Sequence, residues 1–445
     1  MPLPALSESR PLRLSAVTAM YVAQGLQIGL LVTAFPAYLA AHDVSPVAIG
    51  GWIGALTLPW TLKLLYAPLM ERYTVLAMGR RRPWMLAGTA GGALGYLAMA
   101  LVPDPLAHLG GLTALMVGGS LFLALQDIAT DALTIDIVPL DEQGRANGLM
   151  WGGKVFGTAA SAAAGAWLFG AVGPSATFAA GAAATAAFAL IPLLLRERPG
   201  ERLLPWTAGE ASATAEALQL DGWAAIGRSV RRVAVLPAVL LAAAAGGLVQ
   251  FGEGLFDAFG PVFTVQHLGW TDATFSNTMA VAKLIGGGVG MVGGGLLVTR
   301  LGRTRAVSAA LLALAGVSVA MGLGAALAPS AVGAQAYLLL AVTAQTLATI
   351  SLFATCMALC WKPVAAVQFA LFMAIANVGY TAGSAAMGAL VAVLTPAQVF
   401  VAMAALPLVA VALLRRVDVA AHVARLDTLD AATVPAAPAV PVTPL

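Results

Sequence analysis

A chain of 445 residues that is 60% hydrophobic, only 10% charged and of mean hydropathy +0.89 lies far from the roughly 25% charged composition of a soluble domain. This excludes a soluble globular protein and specifies an integral membrane protein. The formal charge of +3 comes with no basic tail and no aromatic–basic platform, so no nucleic-acid surface is indicated.

Apolar runs long enough to cross ~30 Å of hydrocarbon as helices recur along the chain. In order they cover residues 14–41, 47–70, 84–102, 111–137, 147–172, 175–195, 233–259, 272–298, 306–326, 335–361, 366–392 and 396–414. None alternates apolar and polar residues as barrel strands do, so the expectation is an all-α polytopic membrane protein with twelve spans. The first run exceeds a secretory leader and contains Gln24, Gln27 and Pro36, so it is kept as span 1. Cys356 and Cys360, one turn apart in span 10, read as packing rather than a disulfide. Gly286 to Gly295, "GGGVGMVGGG", lies in an apolar run and lacks the GK[ST] ending of a phosphate loop, so it reads as close helix packing.

Of the 23 Lys plus Arg residues all but four are Arg. Every Arg falls before span 1, after span 12 or in a loop following an even-numbered span. By the positive-inside rule both termini are expected in the cytoplasm. The segment 196–232 is polar and divides an N-terminal half, 1–195, from a C-terminal half, 233–414. Residues 415–445 are expected to form a disordered, Pro/Ala-rich cytoplasmic tail. "FPAYL" at Phe35 to Leu39 echoes "GPVFT" at Gly260 to Thr264, and "GRRR" from Gly79 echoes "GRTR" from Gly302, with offsets of 225 and 223 residues. Two echoes at nearly one spacing indicate parallel six-helix repeats, the architecture of the major facilitator superfamily.

An ionisable residue at mid-membrane costs ~2.5–3.5 kcal/mol on insertion scales and needs a partner or a wet cavity. Span 4 carries Asp127 and Asp131, about 40° apart on the helical wheel, and Asp136 on the opposite side near the cytoplasmic end. Span 7 places Gln250, Glu253 and Asp257 on one stripe. Lys63, Lys154 and Lys283 oppose these acids, and Lys362 closes span 10. The bland reading is ion pairing of Asp127 or Asp131 with Lys63 or Lys154, and of Asp257 with Lys283. For the set as a whole a polar central cavity is favoured, because apolar residues would serve packing at lower desolvation cost. Gln24, Gln27, Asn377 and Tyr380 are further candidates for its lining. Glu71, Arg72, Arg80, Arg81, Asp136 and Arg145 form a candidate cytoplasmic gate.

Three stretches, "KLLYAPLMERYTVLAMGRRRPW" (Lys63 to Trp84), "LQDIATDALTIDIVPLDEQGRANG" (Leu125 to Gly148) and "LCWKPVAAVQFAL" (Leu359 to Leu371), resemble the AmpG-type permeases, with acetyl-CoA transporters as more distant relatives. The resemblance implies proton-driven import of GlcNAc-anhydromuropeptides across a bacterial inner membrane. It also implies Asp127, Asp131, Lys63, Asp257 and Lys283 as transport residues. The chain departs from the family pattern in Glu71, where the family usually has Asp, and in the additional Glu253. The expected partners are a small solute, protons and the bilayer, for a monomer that is not an enzyme and has no cofactor or metal. Asp127, Asp131, Glu253 and Asp257 are the candidate proton-coupling residues. The alternatives are a siderophore importer of the same family and a metabolite or drug exporter. A sensor on the same fold and an intramembrane aspartyl protease are weaker readings; the protease is disfavoured by the lack of a Gly-x-Gly-Asp segment.

Overall fold

The structure is a computed structural model that describes residues 5–433 apart from 45, 221, 328 and 329. All regular structure among the described residues is helical. The N-terminal half contains α1 (Arg10–Ile28), α2 (Phe35–Ala41), α3 (Pro46–Thr61), α4 (Lys63–Arg72), α5 (Arg82–Ala100), α6 (Leu109–Ile137) and α7 (Gln143–Leu194). Two short helices, α8 (Ala213–Leu218) and α9 (Trp223–Ala234), occupy the linker. The C-terminal half contains α10 (Pro237–Pro261), α11 (Asp272–Val289), α12 (Gly295–Leu301), α13 (Arg303–Leu327), α14 (Ala331–Ala358), α15 (Ala365–Val393) and α16 (Pro396–Leu414), followed by α17 (Val419–Thr433).

Ten segments among the described residues are long and apolar enough to cross a membrane. One of them, Leu140–Leu194, holds the expected span 147–172 and all but the last residue of 175–195. Its helix α7 bends at Gly173 (φ 79°, ψ 176°), directly before Pro174, where glycine takes the left-handed φ and proline removes a backbone donor. The expected span 84–102 falls on α5, which is not among the ten. Spans 1 and 7 are not uniform helices. A π-helical segment, Gly29–Ala34, joins α1 to α2, and another, Val262–His267, follows α10. The wide turn of the first frees the Leu31 carbonyl to accept from Trp52 Nε1 at 2.8 Å.

The repeat is visible in the backbone. Gly79 (φ 101°) and Gly302 (φ 79°), which open the two echoed motifs, both end a helical segment with positive φ. The same helix crossings recur in both halves, α1 on α7 and α10 on α15. At the first, a Cβ on Gly25 would lie 2.1 Å from the Lys154 carbonyl oxygen. At the second, one on Gly254 would lie 2.0 Å from that of Tyr380. Only glycine permits such approach, and in lipid close van der Waals packing is what joins helices.

Three apolar cores organise the bundle. One is confined to the N-terminal half, around Leu31, Phe35, Tyr96 and Phe178. A second is confined to the C-terminal half, around Phe259, Tyr337 and Phe400. The third draws on both halves, including Met70, Ala132 and Met150 with Phe353, Trp361 and Phe369. Residues 415–433, expected to be disordered, include α17, whose His422 and Leu426 are buried. His422 Nε2 lies 2.9 Å from the Leu359 carbonyl oxygen, an anchor that a reading of composition overlooks. The Pro/Ala stretch 434–445 lies outside the described residues.

Candidate functional site

α6 carries its acids in two separate environments, as the 180° offset between Asp127 and Asp136 requires. Asp127 Oδ2 pairs with Lys63 Nζ, both side chains almost fully buried. One turn on, Asp131 Oδ1 accepts from the Tyr21 hydroxyl at 2.5 Å. Asp131 makes no salt bridge among the described residues. Lys154 interacts electrostatically with both acids, and its Nζ sits 5.2 Å from the Trp151 ring centroid, a cation–π contact. Two acids and two lysines from α4, α6 and α7 thus gather inside the N-terminal half. Gln27 donates to Ser120 Oγ at 2.8 Å, whereas Gln24 is buried with neither amide atom bonded among the described residues.

The C-terminal half holds its charges more openly. Glu253 Oε2 accepts from Gln250 Nε2 and Gln345 Nε2, each at 3.1 Å. Asp257 Oδ2 accepts from the Tyr380 hydroxyl at 2.9 Å, and its Oδ1 lies 4.0 Å from Lys283 Nζ. The Lys283 side chain is 58% exposed, against 6% for Lys63. Glu253, Asp257 and Lys283 line a cavity of about 240 Å³ with Phe256, Gln345 and Thr349, and Trp151 and Val155 of α7 form its opposite wall. The cavity therefore lies between the halves. Trp151 is braced from behind by Phe353, stacked at 5.7 Å and 7°. Of the expected lining residues Lys283 alone borders this cavity; Gln24, Gln27, Lys63, Lys154, Gln250, Tyr380 and the exposed Asn377 do not.

The gate residues divide. Glu71 Oε2 lies 2.7 Å from Arg80 Nη2 and 2.9 Å from Arg81 Nη2, while Asp136 Oδ2 lies 3.2 Å from Arg80 Nη1 and 2.9 Å from Arg81 Nε. This closed square of two acids and two guanidiniums is fully buried. It also reaches the other half. Arg80 donates to the carbonyls of Lys362 and Pro363 at 3.0 and 2.8 Å, and Glu71 Oε1 accepts from Ala366 N at 2.8 Å. Burial and the neighbouring Arg81 pull Arg80 below its ordinary value, with Glu71, Asp136 and Glu197 opposing. Arg303 donates to the Leu140 carbonyl, a second link between halves. Arg72 and Arg145 are not in the square: Arg72 stands over the Tyr73 ring at 5.4 Å, and Arg145 is exposed.

Three supporting residues escaped sequence reasoning. Glu197 accepts from the backbone N–H groups of Arg80, Arg81 and Arg82 at 3.0, 2.7 and 2.5 Å. Glu142 pairs with Arg13 at 2.7 Å and Arg10 at 3.3 Å. Gln345 bonds Glu253 across α10 and α14. In the sequence Glu197 stands out only as an acid between two arginines, Glu142 only as one of two adjacent loop acids, and Gln345 only as a polar residue in an apolar run.

A helical membrane bundle of two echoing halves, with buried ion pairs and a largely apolar cavity edged by charged groups between them, defines a secondary transporter. The chain belongs to the Major Facilitator Superfamily, which it matches over residues 17–369. It resembles the FucP transporter of that superfamily in its outward conformation (TM-score 0.66, 15% identity, 93% of this chain and 99% of the other). The human organic anion transporter MFSD10 also resembles it (0.65, 18%, 91% and 100%). Among curated relatives, the anhydromuropeptide permease of Escherichia coli K12 is 30% identical over 146 residues, 33% of this chain and 29% of the permease. A Haemophilus influenzae protein of unknown function is 36% identical over 123 residues, 28% of each chain. These matches span under a third of the length of either relative.

Proposed function

We propose that the protein is a proton-coupled importer of GlcNAc-anhydromuropeptides, working by alternating access in a bacterial inner membrane with both termini in the cytoplasm. Proton coupling needs a carboxyl group that exchanges its proton as access alternates. The observation that carries the reading is the contrast on α6: Asp127 is pinned to Lys63, whereas Asp131, one turn away, is bonded by a phenol. Asp131 is the assigned proton carrier. Asp127 and Lys63 hold the field around it. The gate square on Lys362, Pro363 and Ala366 closes the cytoplasmic end and must break for the solute to leave inward.

The substrate assignment rests on the 30% identity to the anhydromuropeptide permease and on the motifs shared with its family. A braced aromatic face, Trp151, beside amides and charges suits an amphiphilic sugar–peptide solute. The test is uptake of labelled GlcNAc-anhydromuropeptide into proteoliposomes with and without an inward proton gradient, beside a ferric siderophore. Gradient-stimulated muropeptide accumulation is expected. Siderophore uptake alone would move the substrate to the alternative importer class, and efflux against the gradient would reverse the direction.

A further inference from the structure

The two halves treat their charges differently. In the N-terminal half Lys63 is buried and spent on Asp127. In the C-terminal half Lys283 is mostly exposed in the cavity wall, and its nearest carboxylate oxygen is 4.0 Å away, beyond a good hydrogen bond. Glu253 uses Oε2 twice, for Gln250 and Gln345, while its Oε1 has no hydrogen-bond partner among the described residues. No cation lies in salt-bridge range of Glu253 among them either. The cavity wall therefore offers two carboxylates and one ammonium with bonding capacity left over. A structural pair would close on itself, as Lys63 and Asp127 do.

We propose that Glu253, Asp257 and Lys283 form a subsite for an amino-acid zwitterion, the carboxylates taking its ammonium group and Lys283 its carboxylate. Resting on the muropeptide reading, this assigns the wall to the peptide arm and leaves the Trp151 face for the sugar. Its chemistry fits the site. Carboxylates supply several acceptors to an ammonium, while Lys283 is a mobile point charge that reaches a carboxylate without fixed fork geometry. With all three ionised the wall carries one net negative charge, so an ammonium is attracted more strongly than a second anion. Tyr380, donating to Asp257, and the two glutamines, donating to Glu253, are positioning residues that aim the acids.

The test is binding of a plain amino-acid zwitterion, alanine, to the purified full chain, followed by tryptophan fluorescence. Its N-acetylated and its C-amidated forms are measured beside it. Blocking either end is expected to weaken binding about tenfold or more. Glu253→Gln should weaken the zwitterion and the amide but not the N-acetyl form further, and Lys283→Met the zwitterion and the N-acetyl form but not the amide. Equal binding of all three ligands by the wild type would overturn the subsite. So would variants that weaken every ligand alike. Muropeptide uptake by the same preparation reads out separately: zwitterion binding without muropeptide uptake supports the subsite and removes the muropeptide assignment.

Discussion

Asp127 and Lys63 show what a buried charge requires. Removing one member of a buried pair leaves the other uncompensated, at a cost of about 3–5 kcal/mol. Lys63→Met is therefore expected to lower the melting temperature in detergent sharply, and Asp127→Asn in the same chain to restore most of it. A double variant no more stable than Lys63→Met would show that the pair is not the source. Asp131 has a phenol in place of an ion pair. Asp131→Asn is expected to keep a folded protein that exchanges solute down its gradient but no longer accumulates it with a proton gradient; undiminished uphill uptake would remove the assignment. Outside the membrane, Glu201 in the linker is raised to about 7 by burial, then by the charge of Glu197, against the Arg198 N–H and Ser212. A carboxyl raised in the fold contributes stability that is complete below its unfolded value and lost as pH rises through the folded one. Hydrogen exchange around residues 196–212, corrected for intrinsic rate, is expected to speed up as pH rises from about 4.5 to about 7 and to level off above that, and Glu201→Gln to flatten that change.

At the scale of elements, the glycine crossings fix how closely the helices approach. A side chain at Gly254 meets the Tyr380 backbone at 2.0 Å, and backbone cannot swing aside. Overpacking costs ~1–3 kcal/mol and sometimes more, so Gly254→Leu belongs at the upper end. It is expected to lower stability strongly and to disturb Tyr380, hence Asp257. Gly288→Ala, with open space around its Cβ, should leave the melting temperature unchanged; equal losses in both would refute the steric account. The π segments after α1 and α10 have no comparable sequence signature. Pro36 and Pro261 mark where helical bonding must be interrupted, but the π geometry depends on partners such as Trp52, whose indole N–H donates to the freed Leu31 carbonyl.

For the whole molecule, the arrangement of cores defines the conformational state. Among the described residues the halves share one apolar core, at the end that carries the Arg80–Arg81 square, and each keeps its own at the other. The bundle is thus joined at one end and divided at the other, with the Arg80 bonds across the seam. Arg80→Ala removes those bonds and leaves Arg81 alone with two acids, so the open-inward population should rise. The chain's two cysteines, Cys356 and Cys360, are buried beside this seam and serve as native reporters. Their labelling by a maleimide is expected to accelerate several-fold in Arg80→Ala; an unchanged rate would show that the square does not hold the gate.

Sequence alone determined the membrane class, the helical character, the repeated halves and the acids and lysines at stake. Those features follow from length, hydropathy and the cost of charge in lipid, which act locally and leave a residue-level trace. The echo of Gly79 and Gly302 belongs here, because a positive φ selects glycine at each site. The tertiary structure decided which charges meet. It joined Asp127 to Lys63 and left Asp131 to Tyr21, drew Glu197 under the three arginines, and set Arg72, Arg145 and Asn377 aside. It also ordered α17 through His422. Pairing in a bundle depends on helix rotation and crossing across more than a hundred residues of separation, and no local pattern along the chain encodes that choice.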